Sequence, residues 1–287
     1  MRRWVAGLVV AGLAAALTGC VRGSAEDTGR SAFVPQGGAC HRFDVQDGDQ
    51  TSYAPISCAD PHEAETVHVG AFVGADAGQD AAPARQGPAL RKSFEVCDTA
   101  ATDYVGSEWR GARLLLRVVI PTSRGWTAGE RWFRCDLSEI TYLEVTDPRP
   151  RQGSLRDVLA GPSELAFGCL NVTELPDGSI GGMAELDSCT IAHDAEYAGV
   201  WRAPDAPYTD MKDEAGPAGA GCLGVIARYV GIPEDALAGR AEVVRRLPFE
   251  QDWLAGDRGI RCFVWVADQK LTRSLRNSGT KGLSTAG

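Results

Sequence analysis

At 287 residues the chain has room for two small domains, and its 44% hydrophobic and 23% charged content is ordinary globular usage. The net charge is −9, which argues against nucleic acid or an anionic bilayer surface as the main partner. Removing Arg2 and Arg3 with a leader would take it to −11, and the plain consequence is solubility.

Residues 1–19 read as a secretory signal. Arg2 and Arg3 form a basic start, and an uncharged apolar run follows from Val5 to Leu17. That run is too short for a permanent transmembrane helix. The ending Leu17-Thr18-Gly19-Cys20 resembles the lipobox of bacterial lipoproteins. The resemblance implies a diacylglyceryl group on Cys20, which becomes the mature N-terminus. Two or more acyl chains suffice for stable anchoring. The expected location is the outer face of the cytoplasmic membrane, held by lipid. Residues 20–36 form a polar, Gly/Ser-containing tether.

The remainder says nearly the same thing twice. Cys40, Cys58, Cys97 and Cys135 are spaced by 18, 39 and 38; Cys169, Cys189, Cys222 and Cys262 by 20, 33 and 40. Cys58-Ala-Asp-Pro-His62-Glu-Ala-Glu65 returns as Cys189-Thr-Ile-Ala-His193-Asp-Ala-Glu196. Tyr104-Val-Gly106 returns as Tyr229-Val-Gly231. Trp126-Thr-Ala-Gly-Glu-Arg131 returns as Trp253-Leu-Ala-Gly-Asp-Arg258. A period above 100 residues is domain-sized. We therefore expect domains at 37–145 and 165–267, a proline-containing linker at 146–164, and a frayed tail at 268–287. Outside the cytoplasm, an even cysteine set reads as disulfides rather than metal ligands, and no tight Cys-x-x-Cys pair is present. Four cysteines per domain allow three connectivities; first with second and third with fourth is favoured. Each loop closed this way contributes about 3–4 kcal/mol in the chain-entropy view.

Each repeat reads as strands, one main helix, then strands, an α+β pattern with antiparallel sheets. Asp47-Gly48 and Asp177-Gly178 are hairpin signals placing the first two cysteines on neighbouring strands. Leu90, Phe94, Cys97, Ala101 and Tyr104 recur at helical spacing, as do Cys222, Ile226 and Tyr229. Strands are expected over Thr66–Val73, Leu114–Ile120, Trp132–Ile140, Glu196–Trp201, Glu242–Leu247 and Ile260–Val266.

Gly38-Ala-Cys40, the Cys-x-x-Pro-His-x-x-Glu segment, the helix cysteine and Pro121-Thr-x-x-x-Trp126-x-x-Gly-Glu-Arg131-x-x-x-Cys135 together resemble the bacterial septum-formation-related domain. The resemblance covers most of 37–145 and extends more weakly over 165–267, where Ala192 replaces proline and Phe249 replaces threonine. It implies an extracytoplasmic module associated with division and carries no catalytic residues.

Two repeated constellations are candidates for binding. His62 and Glu65, with His193 and Glu196, sit beside cysteines and suit a proton or an ion, or a hydrogen-bonded turn. His62 to His68 is not the zinc-protease spacing, so no metal site and no cofactor are expected. Trp126 and Arg131, with Trp253 and Arg258, suit an interface anchor or a buried lid over the sheet. No nucleophile motif, phosphate loop or dinucleotide fingerprint occurs.

The reading is a lipid-anchored, non-enzymatic binding or scaffolding module whose partners are envelope or division proteins. The alternatives are an envelope enzyme acting on wall polymer and a structural spacer. Cys20→Ala is expected to abolish lipidation. Intact mass and membrane fractionation of the mature protein check this; an unmodified Cys20 in the parent contradicts it.

Overall fold

The computed structural model describes residues 33–43, 48, 50, 52–143, 147–213, 216–267 and 269–283. The leader, Cys20, most of the tether and Asp47 lie outside the described residues. Ala32–Gly287 form one compact unit, in which each repeat builds its own antiparallel sheet.

The first repeat contains strands β1 (Ala39–His41), β2 (Ala64–Ala71), β3 (Leu114–Val119) and β4 (Trp132–Glu139), ordered β1-β2-β4-β3. Its helices are α1 (Gly74–Ala77), α2 (Pro88–Val105) and α3 (Ser123–Thr127). The second contains β5 (Cys169–Glu174), β6 (Ile180–Glu185), β7 (Ala195–Arg202), β8 (Glu242–Arg246) and β9 (Gly259–Trp265), ordered β6-β5-β7-β9-β8. Its helices are α4 (Tyr208–Lys212), α5 (Pro217–Val230) and α6 (Glu250–Ala255). β5, β7, β9 and β8 repeat the places of β1, β2, β4 and β3, and β6 is an added edge strand. The fold is α+β, as the sequence pattern predicts.

α2 and α5 are the main helices, and the same local chemistry bounds both. Each opens on Gly-Pro, with proline in the first turn where a missing N–H costs nothing. Each closes on Tyr-Val-Gly, with Gly106 at φ 88° and Gly231 at φ 82°. These left-handed caps donate their N–H groups to Thr102 and Ala227 carbonyls. The apolar stripe of α2 lies over its sheet, where Phe94, Cys97, Ala101 and Leu116 are buried together. Cys97 bonds Cys135 and Cys222 bonds Cys262, stapling helix to sheet with all four sulfurs buried. Cys40 bonds Cys58, and Cys169 bonds Cys189. Cys58 and Cys189 lie in turns outside the strands, so the expectation of neighbouring strands holds only for their partners. Asp177-Gly178 does turn β5 into β6.

The linker and tail differ from expectation. Arg151 forms an antiparallel bridge with His62, and Leu271 forms the same bridge with His193. Leu155, Leu275 and Leu283 are all buried. Chain after each repeat thus completes that repeat's fold. The reason is a second short repeat, Ser154-Leu155-Arg156 and Ser274-Leu275-Arg276, whose leucines supply core side chains.

The two repeats meet around Arg110, which is fully buried. Its Nη1 donates to Asp98 at 2.6 Å and Glu108 at 3.1 Å; its Nη2 and Nε donate to Asp257 of the second repeat at 2.6 and 3.0 Å. Burial opposes the charge, but Asp257, Asp98 and Glu108 outweigh it and hold the guanidinium more firmly protonated than usual. Arg261 Nε donates back to the Arg110 carbonyl at 2.9 Å. Gly259 makes room: a Cβ there would lie 2.2 Å from Arg110 Nε. At the corresponding position the first repeat carries Trp132.

Arg110→Ala strands the Asp257 carboxylate and is expected to cost about 3–5 kcal/mol. Gly259→Ala is expected to destabilise the parent and to do far less in the Arg110→Ala background. Urea unfolding of the four-member cycle checks this; equal effects of Gly259→Ala in both backgrounds contradict it.

Candidate functional site

The repeated His-x-x-Glu motif lies where strand two enters its sheet. His62, Glu65, His193 and Glu196 are at most 1% exposed, so none faces a free surface. The glutamates hold the straps that follow each repeat. Glu65 accepts from Tyr104 Oη, from Ser154 Oγ at 2.6 Å and from Leu155 N at 2.6 Å. Glu196 accepts from Tyr229 Oη at 2.6 Å, Ser274 Oγ at 2.8 Å and Leu275 N at 2.8 Å. Burial and the Glu196 bond push the Tyr229 phenol up to about 12. Arg156 and Arg276 stack on the same tyrosines, 4.2 and 4.8 Å from the ring centres. Sequence reading missed Ser154, Leu155, Ser274 and Leu275, although the repeated Ser-Leu-Arg was there to be found.

The histidines fix the strap from the other side. His62 Nδ1 donates to the Asp60 carbonyl at 2.9 Å, and His193 Nδ1 donates to that of Ile191 at 2.8 Å. His193 Nε2 lies 3.0 Å from Glu196, a contact that requires a proton between them. Among the described residues His62 Nε2 has no hydrogen bond. Cys40, His62 and Glu65 gather within 4.8 Å, as do Cys169, Cys189 and His193. The donor sets do not fit a metal: every sulfur is in a disulfide, and Glu65 is occupied by the strap.

The tryptophan motifs are lids. Trp126 and Trp253 are each 1% exposed. Their indole N–H groups donate to Gln79 and Ala206 carbonyls at 2.8 and 3.0 Å. Arg131 stacks 4.0 Å over Trp126 and donates to the Ala77, Trp126 and Glu130 carbonyls. Arg258 stacks 4.4 Å over Trp253 and reaches the Trp253 carbonyl and Asp205. As interface anchors these residues are therefore already spent within the fold.

The sheet faces turned away from the main helices diverge. In the first, Thr66 Oγ1 donates to Asp136 at 2.7 Å, Arg134 Nε donates to Asp136 at 2.7 Å, and His41 Nε2 contacts Thr66 at 3.1 Å. Burial opposes ionisation of Asp136, yet His41 and Arg134 outweigh it and hold the carboxyl below its usual range. The matching face of the second sheet is largely apolar, with Leu170, Val244, Phe263 and Trp265, and its Arg261 turns to the Arg110 carbonyl of the first repeat. Nothing repeated marks the polar cluster, so repeat matching passes over it.

Two of the recesses among the described residues border the edge strands β3 and β8. One, about 310 Å³, lies between the repeats, lined by α2, β3 and α6, with Arg85, Arg117 and Asp252 among its walls. Burial, with Asp257 nearby, raises the Asp252 carboxyl to about 6. The other, about 750 Å³, runs beside β8 and includes Glu242, Arg245 and Arg246.

The fold and its clamps define a disulfide-stapled tandem-repeat module of the α+β class. The chain belongs to the Septum formation family, whose model matches residues 37–274. Over 96 residues it is 34% identical to uncharacterized membrane protein Rv3835 of Mycobacterium tuberculosis strain H37Rv, and equally to uncharacterized membrane protein MT3943 of strain CDC 1551. The aligned stretch covers 32% of this chain and 21% of each relative. No solved structure matches the chain. No helix among the described residues is long and apolar enough to cross a membrane.

Glu196→Gln is expected to cost about 2–3 kcal/mol, because a neutral amide replaces a carboxylate held by Tyr229, Ser274, Leu275 and His193. Urea unfolding measures the loss, and proteolysis should cut faster within 269–283. Unchanged protection of that strap contradicts the clamp.

Proposed function

We propose that the protein is an extracytoplasmic lipoprotein, anchored through Cys20, that acts as a binding or scaffolding module of the cell envelope in septum formation. Family membership supports the septal association. The observation that carries the non-enzymatic reading is the fate of the repeated polar motifs: each is buried and saturated by the chain's own straps and lids. General acid–base or nucleophilic chemistry needs a group within reach of a substrate, and the His-x-x-Glu pairs offer none. The runner-up, an envelope enzyme acting on wall polymer, rests on those same histidines.

A fluorescently tagged chain in dividing cells tests the association: enrichment at the division site is expected, and uniform envelope signal argues against it. His62→Ala and His193→Ala are expected to lower stability by about 1–3 kcal/mol and to remove no turnover of cell-wall fragments. Turnover abolished by His62→Ala, with circular dichroism unchanged, favours the enzyme.

A further inference from the structure

A buried histidine lies beside the entry disulfide of each repeat, and the two are bonded differently. His62 and His193 are both fully buried, and each Nδ1 faces a backbone carbonyl two residues earlier. A carbonyl only accepts, so Nδ1 carries the proton. A second proton on His62 Nε2 would be an unpaired N–H on a buried charged ring, so Nε2 keeps its lone pair. His193 Nε2 meets Glu196 Oε1 at 3.0 Å. Among the described residues His62 Nε2 meets no hydrogen-bond partner.

The groups gathered at His62 have no hydrogen to give. Cys40 Sγ, a His62 ring nitrogen and a Glu65 oxygen lie within 4.8 Å of one another. Cys40 Sγ is bonded to Cys58, and both Glu65 oxygens accept from Tyr104, Ser154 and Leu155. Opening the Cys40–Cys58 bond changes this, because Cys40 then carries an S–H, a weak donor. A buried acceptor without a partner raises the free energy of the closed form. The opened form supplies the partner. A disulfide whose reduced form is stabilised is more oxidising and opens more readily.

Access is through the other sulfur. Cys40 is fully buried, whereas Cys58 is half-buried in a turn whose neighbours Ser57, Ala59 and Asp60 are exposed. Cys189 is half-buried too, between exposed Ser188 and Thr190. Exposure therefore does not separate the two entry disulfides; the state of the histidine does. Both helix-to-sheet bonds have two fully buried sulfurs and present nothing to an attacking thiolate.

We propose that Cys58 is a modification site for external thiols, with His62 as the positioning residue that favours the opened bond. The entering thiolate attacks Cys58 Sγ. A new S–S bond to Cys58 forms as the Cys58–Cys40 bond breaks, and the electron pair leaves on Cys40 Sγ. The proton lost by the entering thiol ends on Cys40, whose S–H turns to His62 Nε2. A monothiol stays on Cys58 as a mixed disulfide. A dithiol goes on to release Cys58 as a thiol and is itself oxidised to a cyclic disulfide. Cys169–Cys189, whose histidine is held by Glu196, resists the same reagents.

Redox titration of the full-length chain in mild detergent tests it, with acid quench, alkylation and peptide mapping. In graded mixtures of reduced and oxidised dithiothreitol, Cys40–Cys58 should be half opened at a ratio about tenfold less reducing than Cys169–Cys189, a gap of about 30 mV. Glutathione should add to Cys58 and not to Cys40. In His62→Ala the two entry bonds should open at the same ratio. Nitrogen-15 NMR of the parent should show the His62 Nε2 resonance moving as the bond opens, at ratios where that of His193 stays in place. Equal ratios in the parent, earlier opening of Cys169–Cys189, glutathione on Cys40, a gap that survives His62→Ala, or an unmoved His62 Nε2 resonance overturns the proposal. The parent titration and its NMR signature decide the matter if His62→Ala fails to fold.

Discussion

A carboxylate buried in each repeat governs where the following chain must run. A desolvated charge costs several kcal/mol unless its lone pairs are satisfied. Glu65 and Glu196 meet that cost with a helix tyrosine, a strap serine and a strap amide. The tyrosine ties the clamp to the end of α2 or α5. The strap leucine enters the core one residue past the serine. One electrostatic requirement therefore joins strand, helix and trailing segment, and it explains why the motif recurs without being exposed.

The interface between the repeats follows the same economy. Arg110 is surrounded by Asp98, Glu108 and Asp257, so its burial is compensated from both sides. Once the guanidinium occupies that site, Trp132's counterpart must be glycine. The repeats have therefore diverged where they touch. The sheet faces turned away from the main helices have diverged as well. One keeps a buried Arg134–Asp136–Thr66–His41 cluster, the other an apolar cluster of Phe263 and Trp265. Apolar packing is often at least as stable as a buried ion pair of the same volume.

Disulfides divide along the same line. Cys97–Cys135 and Cys222–Cys262 join helix to sheet inside the core, while Cys40–Cys58 and Cys169–Cys189 close the entry turns next to the histidines. Burial protects the first kind from exchange with external thiols. The half-exposed Cys58 and Cys189 make the second kind the accessible pair.

Much of the architecture was legible from residues alone. The cysteine repeat and the helical stripe through Cys97 are legible signals, and the structure puts Cys97 on a helix with its stripe facing the core. The roles of the repeated polar residues were not legible. His-x-x-Glu and Trp-x-x-Gly-x-Arg read as surface sites or as buried clamps and lids, because spacing does not reveal which groups 33 to 90 residues away satisfy them. The straps were misread as linker and tail because Ser-Leu-Arg is too short and polar to declare a fold of its own. The polar cluster around Asp136 and the Arg110–Asp257 contact exist only through long-range pairing. Sequence determined the elements and their duplication; tertiary structure alone decided which charges were buried, because the groups that satisfy them come from distant parts of the chain.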